Sequence, residues 1–362
     1  MVILPKRLFH TLKIISMEDR HEILGGEFDV DIQGLKYRQP DNSQLEGVFK
    51  YASGRSALYY ILLDAKERYG VTQVLFPDYL CSSILVAAKE ADLDVVFYPL
   101  NTALELDEKS FANLYDEKSA VLLINYFGLK DLSSQIAAIR TINKAAIIIE
   151  DDVQAYYEFI KPLNSANYKF TSLRKTLACP DGGLVKTEYT LGNATASNKF
   201  HQYKLAGSIL KSLRQPEYYD DEVYLSMFEK GEDMIDAEIA AGMSEMSSEI
   251  LSKLDTDRLG IIRKRNARTI LSGLESLGIA PILPVSEDAY PLFIPIYLED
   301  RKKVRKYMFQ HNVFCPVHWP LEGMNVKKGA EMAEHELSII VDQRYTNRDM
   351  EYILELLEKS IK

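Results

Sequence analysis

"AAIIIEDDVQA", residues 145–155, decides the architecture. Ala145 to Ile149 form an unbroken apolar run, short and ending in three isoleucines, so it reads as a strand with both faces covered. The run stops at Glu150, Asp151 and Asp152, with Gln154 just beyond. Acids and an amide are thereby set at a strand's carboxyl end. Outward from this stretch the pattern repeats. "QVLF" (73–76), "DVVFYPL" (94–100) and "AVLLIN" (120–125) read as strands. Between them, "SGRSALYYILLDAKERYG" (53–70), "CSSILVAAKEA" (81–91), "DEKSFANLY" (107–115) and "DLSSQIAAIRTIN" (131–143) read as helices. In the first, Ser53 is a candidate N-cap and Gly70 the stop. Alternation of this kind predicts an α/β fold, a mainly parallel sheet covered on both faces.

The chain of 362 residues is long enough for about two domains. Residues 1–50 read as an irregular N-terminal segment, 51–235 as a large α/β domain, and 236–362 as bridging helices with a smaller α+β domain. Within that last part, 233–277 reads as mostly helical, "DRKKVRKYMFQHN" (300–312) and "NRDMEYILELLEKS" (347–360) as helices, and "PILPVSEDAYPLFIPIYL" (281–298) as a strand region. A net charge of −10 speaks against nucleic acid as a partner. The start shows no signal-peptide core and no apolar run is long enough to span a membrane, so the expected location is cytoplasmic. Cys81, Cys179 and Cys315 lie far apart, and the histidines form no ligand pair, so neither a disulfide framework nor a metal site is expected.

Ligands of open α/β sheets sit beyond the carboxyl ends of the strands. Those ends carry Tyr79, Asn125, Asp151 with Gln154, and, after "YKFTS" (168–172), Ser172, Arg174 and Lys175. Ser53-Gly54-Arg55-Ser56 opens a helix, where free N–H groups and the helix dipole favour a phosphate. The stretch lacks the endings of a Walker loop and of a dinucleotide fingerprint. A phosphate cradle, a flat aromatic, a buried acid and an amine are the needs of pyridoxal 5′-phosphate.

The same residues carry a resemblance. "IIIEDDVQA" is similar to "IEDAAQA", "KTLACPDGG" (175–183) to "KNITTGEGG", and "YASGRSALYYIL" (51–62) to a Ser-Gly-Thr-x-Ala-Leu phosphate loop, all from the DegT/DnrJ/EryC1/StrS sugar aminotransferases. "PVHWP" (316–320) resembles their "HYP" stretch. The chain departs from them at Arg55, Asp152, Asn125 and Cys179-Pro180. The resemblance implies an aspartate aminotransferase-like fold with a seven-stranded-type sheet, and pyridoxal phosphate held on Lys175 as a Schiff base. It makes Asp151 the acid facing the pyridine nitrogen, with Ser53, Gly54, Arg55, Ser56, Tyr79, Asn125, Gln154 and Ser172 around the cofactor. It implies an aminotransferase taking the amino group of glutamate to a nucleotide-linked keto-sugar, for a polysaccharide or a glycosylated metabolite. The alternatives are another reaction on the same cofactor, by a lyase or sugar dehydratase, and a non-catalytic binding or regulatory protein. It also implies a homodimer with shared active sites. Residues 190–230 are the candidate for crossing to the partner, with Asn198, Lys199 and His201 as substrate or phosphate contacts beside Arg174 and His318.

Overall fold

The computed structural model describes residues 21–30, 32–194, 196–213, 220–321 and 328–362. The decisive stretch forms strand β5 (Ile147–Asp151), buried at every position. Around it lie β1 (Phe49–Tyr51), β2 (Gln73–Pro77), β3 (Asp94–Tyr98), β4 (Ser119–Ile124), β6 (Tyr168–Ser172) and β7 (Gly183–Thr187). Two-residue strands β8 (Ala196–Ser197) and β9 (Ala241–Gly242) extend the sheet, giving the order β3-β2-β4-β5-β6-β7-β1-β9-β8. Strands β3 to β6 of that row run parallel, and β7 is antiparallel to both β6 and β1. Ile148, Ile149 and Val121 are fully buried; each such side chain contributes about 1.5–3 kcal/mol of apolar burial.

Helix α1 (Gly54–Tyr69) forms as its caps dictate. The Ser53 hydroxyl accepts the Ser56 N–H, and Gly70 ends the helix in the left-handed region at φ 68°. Ala57, Leu58, Ile61, Leu62 and Ala65 are its buried apolar face. The segment at 81–91 is less regular than its sequence suggests, a 3-10 turn at Ser82–Ile84 leading into the short helix Leu85–Glu90.

A second core is built from β10 (Phe293–Tyr297) paired antiparallel with β11 (Glu336–Ile340). Apolar side chains of α8 (Thr256–Ser276), α9 (Arg301–Gln310) and α11 (Asn347–Ile361) fill it, among them Ile270, Leu274, Met308 and Ile353. Leu24 belongs to the same core, and Leu24–Gly25 pairs with Val313–Phe314. The start of the described chain is therefore tied to the second core; residues 1–20, which carry the sequence's opening, lie outside the described residues. No helix of the described residues is long and apolar enough to cross a membrane.

Two stretches differ from the sequence reading. The helix expected across 234–254 is split: α6 (Glu222–Met234) ends, β9 pairs with Tyr51 and with β8, and α7 (Glu245–Lys253) restarts on a Ser244 cap. Sheet hydrogen bonding outweighs local helical preference there. The stretch 190–230 holds α5 (Phe200–Ser212), which packs against α6; Thr195 and residues 214–219 of it lie outside the described residues.

Gly183 stands opposite both Tyr51 and Ser172 in the sheet, and a Cβ on it would come within 2.0 Å of the Ser53 carbonyl oxygen. Main chain cannot swing aside as a side chain can. Gly183→Ala is expected to destabilise the protein by about 2–4 kcal/mol, read as a lower urea midpoint with unchanged slope. A wild-type midpoint would contradict that close approach.

Candidate active site

A cavity of about 570 Å³ opens at the carboxyl ends of β4, β5 and β6. Ile124, Asp151 and Ser172, each the last residue of its strand, line it together with Ser53, Gly54 and Arg55 from the start of α1. Lys175 and Arg174 reach it from the single helical turn Leu173–Thr176 after β6. Gln154, Cys81, Glu232, Phe293, His318 and Trp319 complete the part nearest the chemistry.

Lys175 is open to this cavity yet closely surrounded by protein. Burial, and then the neighbouring Arg174 guanidinium, hold its amine below the ordinary lysine value. A larger share of free base results, as a nucleophilic or proton-moving lysine requires. Asp151 is buried, and burial pushes its carboxyl up to about 7; the Val153 N–H, donating to Oδ1 at 2.8 Å, works against the shift. Among the described residues no cation pairs with Asp151. A cationic group brought against it would restore the carboxylate.

Side chains alternate along a strand, and this separates Asp152 from Asp151. Asp152 is 0% exposed, with Oδ2 3.3 Å from Lys169 Nζ and Oδ1 accepting from Asn125 Nδ2 at 3.2 Å. Lys169 is also 3.4 Å from Glu150. Asn125 in turn accepts the Lys130 N–H at 3.0 Å. Asn125 is thus a brace outside the cavity lining, where the sequence reading set it beside the cofactor.

Tyr79 likewise lies outside the cavity lining. Its ring is buried against Tyr126, with centroids 5.7 Å apart, and its hydroxyl donates to the His318 carbonyl. A buried phenol needs an acceptor, and finding one there keeps Tyr79 out of the cavity. Its segment presents Cys81, Ser83 and Ile84 instead. Among the aromatic rings that do line the cavity are Phe293 and Trp319, the latter edge-on to Tyr79 at 5.3 Å.

Gln154 accepts the Phe127 N–H on Oε1 at 2.8 Å, which leaves its Nε2 as a spare donor toward the cavity. Ser56 is fully buried and serves the helix cap, its Oγ 2.9 Å from Ser53 Oγ. Arg55 and Arg174 converge on Glu232, at 2.6 and 3.2 Å, and Arg55 also reaches Asp236 at 2.5 Å. Lys204 adds a third cation at 3.0 Å. Burial opposes ionisation of Glu232, but Arg174, Lys204, Lys175 and Arg55 together hold its carboxyl well below the usual range. Glu232 was invisible to sequence reasoning, since no motif surrounds it and only the fold of α6 delivers it. Arg174 does not meet Asp181, which is occupied by Ser244, Ser247 and Asn198. Asn198 is buried in its own chain on Asp181 and Gly242, and His201 turns back on Asn198. Neither they nor Lys199 line the cavity of their own chain. Arg344 does line it, but forms a double ion pair with Asp342 at 2.9 Å for both bonds.

No protein-family model and no curated protein sequence matches the chain. Solved structures do. PseC of Helicobacter pylori, an aminotransferase involved in the biosynthesis of pseudoaminic acid, is similar with a TM-score of 0.66 at 13% identity, over 94% of this chain and 99% of that one. The sugar aminotransferase CalS13 of Micromonospora echinospora gives 0.62 at 15% identity, over 92% and 93%. A DegT/DnrJ/EryC1/StrS aminotransferase of Brucella abortus gives 0.61 at 14% identity, over 86% and 85%. At such identities the likeness establishes a shared fold: the chain has the architecture of these aminotransferases.

The raised Asp151 carboxyl makes stability depend on pH. Its folded value, about 7, lies above the ordinary 3.8, so the stability it confers is full below about pH 4 and is lost as pH rises through 7. Asp151→Asn should therefore be more stable than the parent at pH 8, by up to about 4 kcal/mol, the gap closing toward pH 4. Urea unfolding across that range checks it; parallel profiles would contradict a buried, unpaired Asp151.

Proposed function

We propose that the protein is a pyridoxal 5′-phosphate-dependent aminotransferase that takes the amino group of an amino acid, glutamate first among candidates, to a nucleotide-linked keto-sugar. One observation carries this reading: Lys175, Asp151 and the open N-terminus of α1 line a single cavity. The residues fit the cofactor. At the start of α1 the N–H groups of Gly54 and Arg55 have no main-chain acceptor among the described residues, as expected of a first turn. The Ser172 hydroxyl lines the cavity, and Arg174 Nε is buried without a partner. A Cβ at Gly54 would press on Ser172 Cβ and Val153 Cγ2 at 3.2 Å each, so the cradle is shaped by a missing side chain. These groups, with Ser53, would hold a phosphate. Trp319 would cover a ring, Gln154 Nε2 would donate to its oxygen, and Asp151 would sit against its nitrogen.

When bound, the cofactor supplies an electron sink for the carbon that bears the amino group. The chain supplies the rest. Asp151 holds negative charge in a site where burial excludes water. Lys175 takes and returns a proton at Nζ. Arg174, Arg55 and Glu232 keep local charge nearly balanced, so that one more anion can be accommodated. The sugar acceptor is supported by the shared fold with enzymes named for sugar amination. The division into a large and a small domain is supported by the two largest apolar clusters, one on the nine-stranded sheet and one on β10 and β11. A cytoplasmic location is supported by three free cysteines. A homodimer is supported by exposed apolar side chains on α6 and just past the end of α5, Leu225 and Leu213 at 53% each and Val223 at 40%.

Borohydride reduction of the loaded protein, followed by peptide mass mapping, should fix the cofactor on Lys175; an adduct on another lysine would contradict the assignment. Lys175→Ala should retain cofactor weakly and lose transfer by about 10³-fold or more. A panel of nucleotide-linked keto-sugars with glutamate tests the acceptor, and amination of none of them would sink that part of the proposal. Leu225→Glu should shift sedimentation from dimer to monomer; an unchanged dimer would remove this patch as its interface.

A further inference from the structure

A chain of hydrogen bonds beside the cavity has no part in the reading above. The His318 main-chain N–H donates to Glu336 Oε2 at 2.7 Å, and the Ser338 hydroxyl donates to Glu336 Oε1 at 2.5 Å. His318 Nδ1 lies 2.7 Å from the same Ser338 oxygen. Glu336 and Ser338 sit two residues apart on β11, on one face, and both are 0% exposed. A serine hydroxyl has a single proton. With that proton given to Glu336, the Ser338 oxygen offers His318 only lone pairs, so Nδ1 must carry the ring hydrogen. Nε2 is then an unprotonated acceptor. No described residue engages it, and His318 lines the cavity with Lys175.

Resting on the aminotransferase reading of this site, we propose that Glu336 and Ser338 are positioning residues that hold His318 as its neutral Nδ1–H tautomer, so that Nε2 receives a hydroxyl or ammonium hydrogen of the substrate bound beside Lys175. The imidazolium form is suppressed, since burial and then Lys175 push the ring down to about 3. The tautomer, by contrast, answers to Glu336. Burial pushes that carboxyl up to about 7, against the pull of Ser338, the His318 N–H and Arg301. The other groups facing it are the Tyr79 hydroxyl and the Cys315 thiol, both kept neutral by burial. As pH falls through about 7, Glu336 gains a proton. It can then donate to Ser338, Ser338 donates to Nδ1, and Nε2 becomes a donor.

Nitrogen-15 NMR of histidine-labelled, cofactor-loaded protein reads the ring without any turnover. At pH 8 the His318 signals should show Nδ1 protonated and Nε2 bare, reversing below about pH 7. Ser338→Ala should mix the tautomers and lower kcat/KM about tenfold, with Ser338→Thr restoring both. Glu336→Gln should abolish the pH-driven reversal and the matching acid limb of kcat/KM, because an amide cannot take up the proton. An Nε2–H ring at pH 8 overturns the proposal. So does a Ser338→Ala protein with unchanged ring signals and kcat/KM. Absence of amino transfer from every donor would sink the reaction instead, and the ring signals would still decide the tautomer.

Discussion

Gly182 joins three pieces of main chain on which the site depends. Its N–H donates to the Ala52 carbonyl at 2.8 Å, and its carbonyl accepts the Leu173 N–H at 2.9 Å. Ala52 leads into α1, and Leu173 opens the turn that carries Lys175. One residue therefore fixes the lysine's turn against the helix start. Gly182 adopts φ 117°, and a Cβ on Gly183 beside it would run into the Ser53 carbonyl. Side chains are excluded at both positions, the first by backbone conformation and the second by contact. The interval from Lys175 to the glycine pair is the length of chain needed to leave the turn and come back beneath it.

On that frame the electrostatics fall into two regions with different logic. Around Glu232, four cationic side chains and several acids nearly cancel, and the carboxylate is held ionised. At Asp151 no described cation cancels the charge, and burial leaves the acid raised. The first region suits a group whose charge is fixed, such as a phosphate. The second suits a group that becomes cationic only where an acid awaits it. Lys175 lies in the same cavity and feels both, its amine lowered by burial and by Arg174.

Much of this was legible in the sequence because it is local. The α1 caps at Ser53 and Gly70, the buried strand ending at Asp151 and the glycine pair after Lys175 each follow from a few neighbouring residues. What sequence reasoning missed was orientation and distance. Tyr79 and Asn125 follow strands as expected but lie outside the cavity lining, their polar groups paired with His318, Asp152 and Lys130. Cys81 and Trp319 reach it instead. Glu232 lies far along the chain and arrives only through α6. Glu336 and Ser338 form an unremarkable strand pattern, and their meaning depends on His318 standing across from them. The break at β9 escaped because helical preference at 234–254 is strong locally and yields to pairing with Tyr51, a partner far away in the chain.

The central claim is that this cavity moves an amino group. The most direct measurement uses one turnover without acceptor. Loaded protein is mixed with 15N-glutamate, excess amino acid is removed, the protein is denatured, and the released cofactor is weighed by mass spectrometry. The account predicts one 15N per cofactor, formed at a rate that collapses in Lys175→Ala. Cofactor released unlabelled after incubation with glutamate and with every other amino acid tried would contradict it.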